Sequence, residues 1–228
     1  MKFLLTCEHG GNEIPEEFQK YFVQAGGVLN SHRGYDPGAL DLFFFLQNLA
    51  DYSYYSTQSR LLIELNRSLT HPKLFSEFTK NFSSEEKNSI VDRFYFPYRN
   101  SVESWISEIL EKGEQVFHIS LHSFSPELDG KIRNADIGLL FDPSRADEKN
   151  FCKILKMQLH LAEPKLKVRF NYPYLGKADG FTTYLRKKFP DNYSGIELEI
   201  NQKFSVENKM EAALKDSLQL AIKNSLQI

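Results

Sequence analysis

Short apolar runs alternate with longer amphipathic stretches along nearly all of this 228-residue chain. The apolar runs predict buried strands at residues 3–7, 52–56, 61–65, 116–121, 137–141, 168–170 and 196–200. The stretches between them predict helices at 40–49, 84–111, 149–161 and 207–224, the second of them kinked or split by Pro97. Because strands that alternate with helices are joined across the faces of a sheet, the pattern predicts an α/β fold with a mostly parallel or mixed sheet covered on both faces.

The length and composition predict one domain over residues 1–228. Hydrophobic residues make up 41% of the chain, enough for a large core, and no Gly-, Ser- or Pro-rich linker divides it. A formal net charge of -2 provides no broad cationic field, so we do not expect a nucleic-acid partner. The sequence leaves the oligomeric state open.

The two cysteines, Cys7 and Cys152, are too few for a disulfide framework and lie in or beside apolar runs. Glu8 ends the first apolar run well short of the roughly 7–15 apolar residues of a signal-peptide core. No stretch approaches the roughly 18 apolar residues of a membrane span. We therefore expect a soluble, cytoplasmic protein without a membrane partner.

Two histidines lie where predicted strands end, and such positions combine a rigid scaffold with access for a ligand. His9 comes just after the first strand and precedes Gly10 and Gly11, which permit a tight turn and close approach of the backbone to a ligand. His122 follows the strand predicted at 116–121. Both imidazoles are therefore candidate metal ligands.

The strand that leads to His122 carries two further polar residues on the same face. Because side chains alternate along a strand, His118 and Ser120 share a face with His122. A buried strand has little reason to carry three polar side chains on one face unless that face ends in a polar site. We interpret His118 as a hydrogen-bonded core histidine and His122 as the residue available to a ligand.

Asp36 is the candidate carboxylate ligand for the same site. Its position before Pro37 also fits the N-cap of the helix predicted from residue 40, and both roles remain open. His32 lies four residues earlier and could share the site or orient a ligand. Two histidines and one carboxylate leave a fourth position of a tetrahedral zinc ion open to a reacting water, as in hydrolytic zinc enzymes.

The last predicted strand contains two glutamates in strict alternation with aliphatic residues. Alternation places Glu197 and Glu199 on one face, although an ordinary amphipathic edge strand would have the same pattern. If the acidic face points at a metal, one carboxylate can take a proton from a bound water and deliver it to a leaving nitrogen.

Basic residues also follow or border predicted strands. Asn66 and Arg67 come directly after the run at 61–65, and a guanidinium pairs in a planar, bidentate manner with a carboxylate. Arg60, Arg133 and Arg169 are candidates for polarising a carbonyl oxygen or holding a second carboxylate. This pattern favours a small-molecule substrate that carries a free acid group.

Taken together, these residues resemble the N-formylglutamate amidohydrolase family, and the matching segments follow the family's order across nearly the whole chain. They are Glu8-His9-Gly10-Gly11-Asn12, Tyr35-Asp36-Pro37-Gly38-Ala39, Ser59-Arg60 with Leu65-Asn66-Arg67, His122-Ser123-Phe124, Asp136-Ile137-Gly138, Arg169-Phe170-Asn171 with Pro173-Tyr174, and Glu197-Leu198-Glu199.

The resemblance implies a three-layer α/β/α fold around a mixed sheet, related to the zinc carboxypeptidases, with one zinc ion per chain. It implies that His122 binds the metal, that Glu199 is the catalytic glutamate, and that Asn66 and Arg67 grip a substrate carboxylate. Asn171 joins Arg133 and Arg169 as an expected substrate-binding residue through its matching segment.

The third metal ligand departs from the pattern of the related carboxypeptidases. Their His-x-x-Glu motif reads His9-Gly10-Gly11-Asn12 here, with Asn12 where the carboxylate is expected. Asp36 is the expected replacement and Glu8 is the alternative.

The implied reaction is hydrolysis of an N-acyl amide, with formyl the favoured acyl group and N-formylglutamate the model substrate. A fold and site of this kind can serve several acids, so the acyl group stays open. One alternative is a carboxypeptidase-like hydrolase of a peptide or cell-wall fragment. Another is a metal-free binding module that holds an acidic metabolite with Arg67, Arg133 and Arg169.

Overall fold

A six-stranded mixed sheet forms the centre of the computed structural model, which describes residues 1–227. The strands in these residues are β1 (Lys2–Cys7), β2 (Tyr52–Tyr55), β3 (Val116–Phe124), β4 (Glu127–Leu128), β5 (Lys131–Ile132), β6 (Ile137–Leu140), β7 (Val168–Phe170), β8 (Tyr193–Asn201), β9 (Ser205–Val206) and β10 (Lys209–Met210). The α-helices are α1 (Glu16–Gln19), α2 (Gly26–Leu29), α3 (Ala39–Leu46), α4 (Ser84–Ile90), α5 (Phe96–Glu111), α6 (Ala146–Ala162), α7 (Phe181–Lys188) and α8 (Ala212–Leu226).

The strand order in the central sheet is β2-β1-β3-β8-β6-β7. The pairs β1–β2, β1–β3, β3–β8 and β6–β7 are parallel, whereas β6 runs antiparallel to β8. Strands β4 and β5 form one small hairpin and β9 and β10 another. The carboxyl ends of β1, β3 and β8 therefore lie at the same edge of the sheet, as the predicted grouping of polar residues requires.

Two hydrophobic clusters cover the two faces of the sheet. One combines alternate residues of β1, β3 and β8 with the apolar sides of α3, α6 and α8. The other packs α1, α4, α5, α7 and the segment 61–65 against the opposite face. The arrangement confirms the predicted three-layer α/β/α fold.

The face covered by α5 and α7 carries the polar side chains of the sheet. The buried residues Thr6, His118, Ser120, His122 and Glu199 all belong to it by strand alternation. His118 contacts the Thr6 hydroxyl at 2.8 Å and the Tyr193 hydroxyl at 2.8 Å, so it is the hydrogen-bonded core histidine that the sequence predicts.

The strand predicted at 61–65 is wrong, although its side chains are buried as the apolar run requires. The segment is an irregular chain of turns, and side chains satisfy carbonyl groups that a sheet ladder would otherwise satisfy. Ser76 donates to the carbonyl of Leu61, Thr79 to that of Leu62 at 3.2 Å, and Arg99 to that of Leu65 at 3.2 Å. Burial alone does not distinguish such a segment from a strand.

The helix predicted at 84–111 is split, as the position of Pro97 indicates. A π turn at Val91–Tyr95 separates α4 from α5, and Pro97 lies in the first turn of α5. The helix predicted from residue 207 begins later, because β9 and β10 form a hairpin before α8. Within residues 1–227, no helix combines the length and the apolar character needed to cross a membrane.

Candidate metal centre and substrate pocket

His9, Asp36 and His122 converge at the carboxyl edge of the sheet. One potential ligand atom from each residue lies within 4.8 Å of the others, and all three side chains are buried. The Asp36 amide donates to the carbonyl of His9 at 2.9 Å, which brings the turn before α3 against the end of β1. The predicted ligand set is thus a spatial cluster formed from three distant segments.

Two glycines after His9 let the chain approach the end of β2. The Gly10 amide donates to the Ser56 carbonyl at 3.0 Å. A Cβ atom on Gly11 would lie 2.4 Å from the Thr57 carbonyl oxygen, so a larger residue would displace this loop. The glycines permit a close approach of two backbone segments, in addition to the turn that the sequence predicts.

The carboxylate of Asp36 faces the centre and does not cap α3. The N-cap position of that helix is Gly38, and no side chain caps it. Oδ2 of Asp36 lies 2.9 Å from Nδ1 of His122 and 3.4 Å from Nδ1 of His9. Asp36 therefore has the position of a ligand, and the capping role left open by the sequence is wrong.

Each histidine points Nδ1 toward the centre and Nε2 toward a second carboxylate. Nε2 of His122 lies 3.2 Å from Glu8, and Nε2 of His9 contacts Glu64. Because a carboxylate on the outer nitrogen fixes the orientation and tautomer of a metal-binding imidazole, both rings are held ready for a ligand at Nδ1. Glu8, the alternative metal ligand in the sequence, lies behind His122.

Glu8 belongs to a fully buried hydrogen-bond network. Its Oε1 accepts from the Tyr98 hydroxyl at 3.0 Å and its Oε2 from the Ser120 hydroxyl at 2.6 Å. Burial alone would raise the pKa of Glu8, but hydrogen bonding to His122 and the charges of His122 and His118 lower it well below its usual range. Glu8 is consequently an ionised partner of His122.

Sequence reasoning missed Glu64, which connects two of the cluster residues. Its Oε2 accepts from Nε of Arg60 at 2.9 Å, while Nη1 of Arg60 donates to Oδ1 of Asp36 at 3.2 Å. The ion pair thus links His9 to Asp36 from outside the cluster. The only sequence signal was an acidic residue within an apolar run.

The charges and the hydrogen-bond inventory of the cluster suit a divalent cation. Burial opposes ionisation of Asp36 and Glu64, but the neighbouring histidines and Arg60 lower both pKa values. In the metal-free protein, burial opposes protonation of His9 and His122, but the neighbouring carboxylates raise both pKa values. A bound cation would replace those protons, because with neutral histidines the carboxylates of Glu8, Asp36 and Glu64 against the guanidinium of Arg60 would leave two negative charges for the metal to balance. Nδ1 of His9 is buried without a hydrogen bond to any described residue. These residues fit a zinc ion in chemistry and charge.

Glu199 lies beside this cluster in a different protonation state. It pairs in register with His122 across β3 and β8, and its Oε2 is buried with no hydrogen-bond partner among residues 1–227. Burial, reinforced by the charges of Asp36 and Glu197, raises the pKa of Glu199 to about 8, although the charge of His122 opposes the shift. A carboxyl group that holds its proton near neutral pH is suited to general acid–base chemistry.

A cavity of about 390 Å³ opens over the cluster. Its lining consists of His9, Asp36, Arg60, Asn66, Arg67, His122, Ser123, Tyr174, Leu175, Ala178, Asp179, Glu197 and Glu199. The predicted metal ligands, the predicted catalytic glutamate and the predicted carboxylate-binding pair therefore share one pocket.

Asn66 and Arg67 form one wall of the cavity. Oδ1 of Asn66 accepts from the Phe181 amide at 2.6 Å, and Arg67 donates to the carbonyl of Asp179. Gly180 makes room for this contact, since a Cβ atom there would lie 2.9 Å from Glu197 and 3.3 Å from Asn66. The start of α7 thus orients Asn66 toward the pocket.

Comparison with known proteins assigns the family. The model of the family described as N-formylglutamate amidohydrolase matches residues 1–205. The chain belongs to the N-formylglutamate amidohydrolase family. A comparison of the chain with curated proteins found no match.

Two solved structures share the fold of this family member, and a third aligns more weakly. A gene product of Agrobacterium tumefaciens is 24% identical with a TM-score of 0.81, and the alignment covers 99% of this chain and 90% of that chain. An N-formylglutamate amidohydrolase from Ralstonia eutropha JMP134 is 16% identical with a TM-score of 0.70, covering 98% of this chain and 93% of that chain. A metallo-carboxypeptidase from Burkholderia cenocepacia aligns at 14% identity and a TM-score of 0.45, covering 99% of this chain and 57% of that chain.

Arg133 lies at the rim of the pocket of this amidohydrolase-family chain. It follows the β4–β5 hairpin, and its guanidinium lies 5.1 Å from the ring centre of Tyr174, which lines the cavity. The same guanidinium lies 5.9 Å from the ring centre of Phe124 at the end of β3. Arg133 is therefore near the pocket entrance without contacting the metal cluster.

Besides Glu8 and Arg133, four of the predicted site residues lie outside the pocket lining. Asn12 donates to the Leu29 carbonyl at 3.2 Å and to Asn30 at 2.8 Å, and His32 is exposed. Arg169 is exposed on the edge strand β7.

Asn171 is the fourth of these residues and has a structural setting. Its Oδ1 accepts from the amides of Phe141 at 3.0 Å and Gly176 at 3.1 Å. These two hydrogen bonds use the side-chain carbonyl of Asn171 to hold the loop after β7 in place. Asn171, which the sequence analysis groups with the substrate-binding residues, therefore supports this loop in the structure.

Proposed function

We propose that this protein is a zinc-dependent amide hydrolase that releases the acyl group, formyl in the favoured case, from an N-acyl acidic amino acid such as N-formyl-L-glutamate. One observation carries the proposal: the His9, Asp36 and His122 donors lie in the same cavity as Glu199 and the Asn66-Arg67 pair. Membership of the N-formylglutamate amidohydrolase family supports the reaction class.

The cluster residues would hold the zinc ion through Nδ1 of His9, a carboxylate oxygen of Asp36 and Nδ1 of His122. When bound, zinc supplies a Lewis acid that polarises a carbonyl oxygen and makes water acidic enough to react near neutral pH. Glu8 and Glu64 keep the two imidazoles in the required tautomer through Nε2. The chain itself thereby supplies a preoriented set of donors.

Glu199 would move the proton during hydrolysis. Its carboxyl group lines the cavity and has no competing hydrogen bond at Oε2 among the described residues. It can accept a proton from the attacking water and donate it to the amine nitrogen that leaves. The pKa of Glu199 is raised to about 8 in the metal-free protein, and a bound zinc cation would lower it toward the operating pH, where the ionised carboxylate can accept the proton.

Arg67 and Asn66 would bind one carboxylate of the substrate. The guanidinium of Arg67 provides the charge and the planar donor geometry. The side-chain amide of Asn66 adds a neutral donor on a shorter side chain. Anchoring an acid group at this wall would hold the N-acyl carbonyl over the metal cluster, because both lie within one cavity. The ligand class is a small-molecule carboxylate.

The test is formate release from N-formyl-L-glutamate by zinc-loaded protein, with N-acetyl-L-glutamate and a blocked dipeptide measured in parallel. Fastest turnover of the formyl substrate, lost after chelation and restored by zinc, would support the proposal. Preferred cleavage of the dipeptide would favour the carboxypeptidase-like alternative. Thermal stabilisation by these acids without turnover of any of them would favour a binding module.

A further inference from the structure

The segment that carries Asn66 and Arg67 has little regular structure of its own. It belongs to neither a strand nor a helix, and the Arg67 amide makes only a long 3.3 Å bond to the Glu64 carbonyl. Side chains on an irregular segment need outside support to keep one orientation. The neighbouring helix α5 provides such support.

Arg99 of α5 contacts this segment and is not part of the pocket lining. Its Nη1 donates to the carbonyls of Leu65 and Arg67, each at 3.2 Å, so it spans the backbone on both sides of Asn66. The Tyr95 hydroxyl adds a 2.8 Å bond to the Arg67 carbonyl. One guanidinium therefore fixes both ends of the segment.

The environment of Arg99 is unusual for a cation. The residue is 2% exposed, and its guanidinium carbon lies 4.3 Å from the ring centres of Phe181 and Tyr184 and 4.8 Å from that of Tyr95. Among residues 1–227, no carboxylate lies within salt-bridge distance of it, and Glu103, one turn along α5, pairs with Lys188 instead.

We propose that Arg99 is a positioning residue that holds the backbone of residues 65–67 so that Asn66 and Arg67 face the substrate carboxylate. The inference rests on the proposed function for the role of that pair. A buried cation without an ionised partner costs stability, and an apolar residue would pack among three aromatic rings at lower cost. What an apolar residue lacks is the donor that joins the two carbonyls.

The first test is independent of catalysis. Hydrogen–deuterium exchange of residues 65–68 is compared in the wild type, Arg99→Met and Arg99→Lys, with Arg145→Met as the matched control. Arg145 also donates to two backbone carbonyls, those of Pro190 and Tyr193, but at a different place. We expect faster exchange at 65–68 in Arg99→Met, a smaller change in Arg99→Lys and wild-type exchange there in Arg145→Met. Unchanged exchange at 65–68 in both Arg99 variants would overturn the proposal.

The second test separates positioning from general stability. For N-formyl-L-glutamate, we expect Arg99→Met to raise KM by about tenfold or more while zinc content stays that of the wild type, because the anchor moves and the metal cluster does not. Arg99→Lys, which keeps a cationic donor, should recover part of the loss and serves if Arg99→Met does not fold. In a background that lacks both anchoring side chains, Asn66→Ala with Arg67→Ala, the Arg99 substitutions should have little further effect on KM.

The outcomes distinguish this proposal from the proposed function. Effects of the Arg99 substitutions that add in full to those of the combined Asn66 and Arg67 substitutions, or an unchanged KM in the Arg99 variants, would overturn the positioning role while leaving the hydrolase intact. If exchange at 65–68 responds to Arg99 but the wild type hydrolyses no N-acyl amino acid, Arg99 holds the segment and the proposed function fails.

Discussion

At the scale of single residues, four buried carboxyl groups around one cavity have pKa values shifted in different directions because their partners differ. Glu8, Asp36 and Glu64 each have histidine or arginine partners that lower their pKa values despite burial. Glu199 has no hydrogen-bond partner at Oε2 among the described residues, and burial raises its pKa to about 8. We therefore propose that the same type of side chain orients a histidine in one place and carries a proton in another.

Replacing Glu199 with Gln tests the proton-carrier role. The amide has nearly the same shape but cannot exchange a proton, so we expect kcat to fall by about 10²-fold or more while zinc binding is retained. Formate release and metal content are measured on the same preparation. Wild-type turnover in Glu199→Gln would remove this residue from the mechanism.

The pKa of Glu199 also predicts how the stability of the metal-free protein changes with pH. As pH rises above about 4.5, the unfolded chain releases this proton while the folded chain keeps it to about 8. Within that pH window the folded state binds more protons than the unfolded state. The contribution of Glu199 to the free energy of unfolding therefore falls as the pH rises, by on the order of a few kcal/mol in total. Because a side-chain amide does not titrate, Glu199→Gln removes this pH-dependent loss of stability.

Thermal unfolding in chelator, at pH 5 and at pH 8, measures this effect. We expect the Tm of Glu199→Gln to be close to that of the wild type at pH 5 and above it at pH 8. A difference between the two proteins that is the same at both pH values would contradict the assignment of a raised pKa to this residue.

Glu64 and Glu8 are predicted to act on zinc affinity through the histidines that they contact. Glu64→Gln and Glu8→Gln each weaken an orienting contact, and such outer partners are worth about 10–100-fold in metal affinity. Competition with a coloured chelator measures the dissociation constant, with Glu103→Gln as a control carboxylate outside the site. Zinc affinities of both variants equal to that of the control would show that Glu64 and Glu8 do not affect metal binding.

Four of the site residues could be predicted from sequence because they lie at the ends of recognisable elements. His9, His122 and Glu199 follow or lie in apolar strands, and Asp36 precedes a helix, so topology alone brings them to one edge. Glu64 could not be predicted in the same way. Its contact with His9 depends on the irregular path of 61–65, which neither periodicity nor composition specifies.

At the scale of secondary-structure elements, the wrong strand at 61–65 shows what an apolar run leaves undetermined. The run predicts burial correctly, but its carbonyls bond to side chains from later in the chain. A single sequence cannot reveal those partners, because their pairing depends on how the loop after residue 67 and helix α5 pack. The strands of the central sheet were predictable because their neighbours are other apolar runs of the same kind.

Thr79 provides a test of this substitute hydrogen bonding. Thr79 is fully buried, and its hydroxyl donates to the Leu62 carbonyl at 3.2 Å. Thr79→Val keeps the shape but leaves that carbonyl without its donor, which we expect to lower the free energy of unfolding by about 1–3 kcal/mol. Urea unfolding of the two proteins measures the difference. Equal free energies of unfolding would mean that the Thr79 hydroxyl does not compensate for the strand hydrogen bonds that the segment 61–65 lacks.

At the scale of the whole molecule, the fold separates packing from chemistry on the two faces of one sheet. The face under α3, α6 and α8 is apolar throughout its cluster. The face under α5 and α7 carries the histidines, Ser120 and the glutamates, and it opens at the carboxyl edge into the cavity. Alternation along β3 and β8 predicted this division, whereas the shape of the cavity depends on loops that the sequence does not specify.

The proposed function depends on zinc binding through His9, Asp36 and His122. Its most direct test is calorimetric titration of zinc into metal-free protein, with His122→Ala titrated alongside. We expect about one tight zinc site per chain in the wild type and its loss or severe weakening in the variant. No binding to the wild type, or equal binding to both proteins, would contradict the proposal.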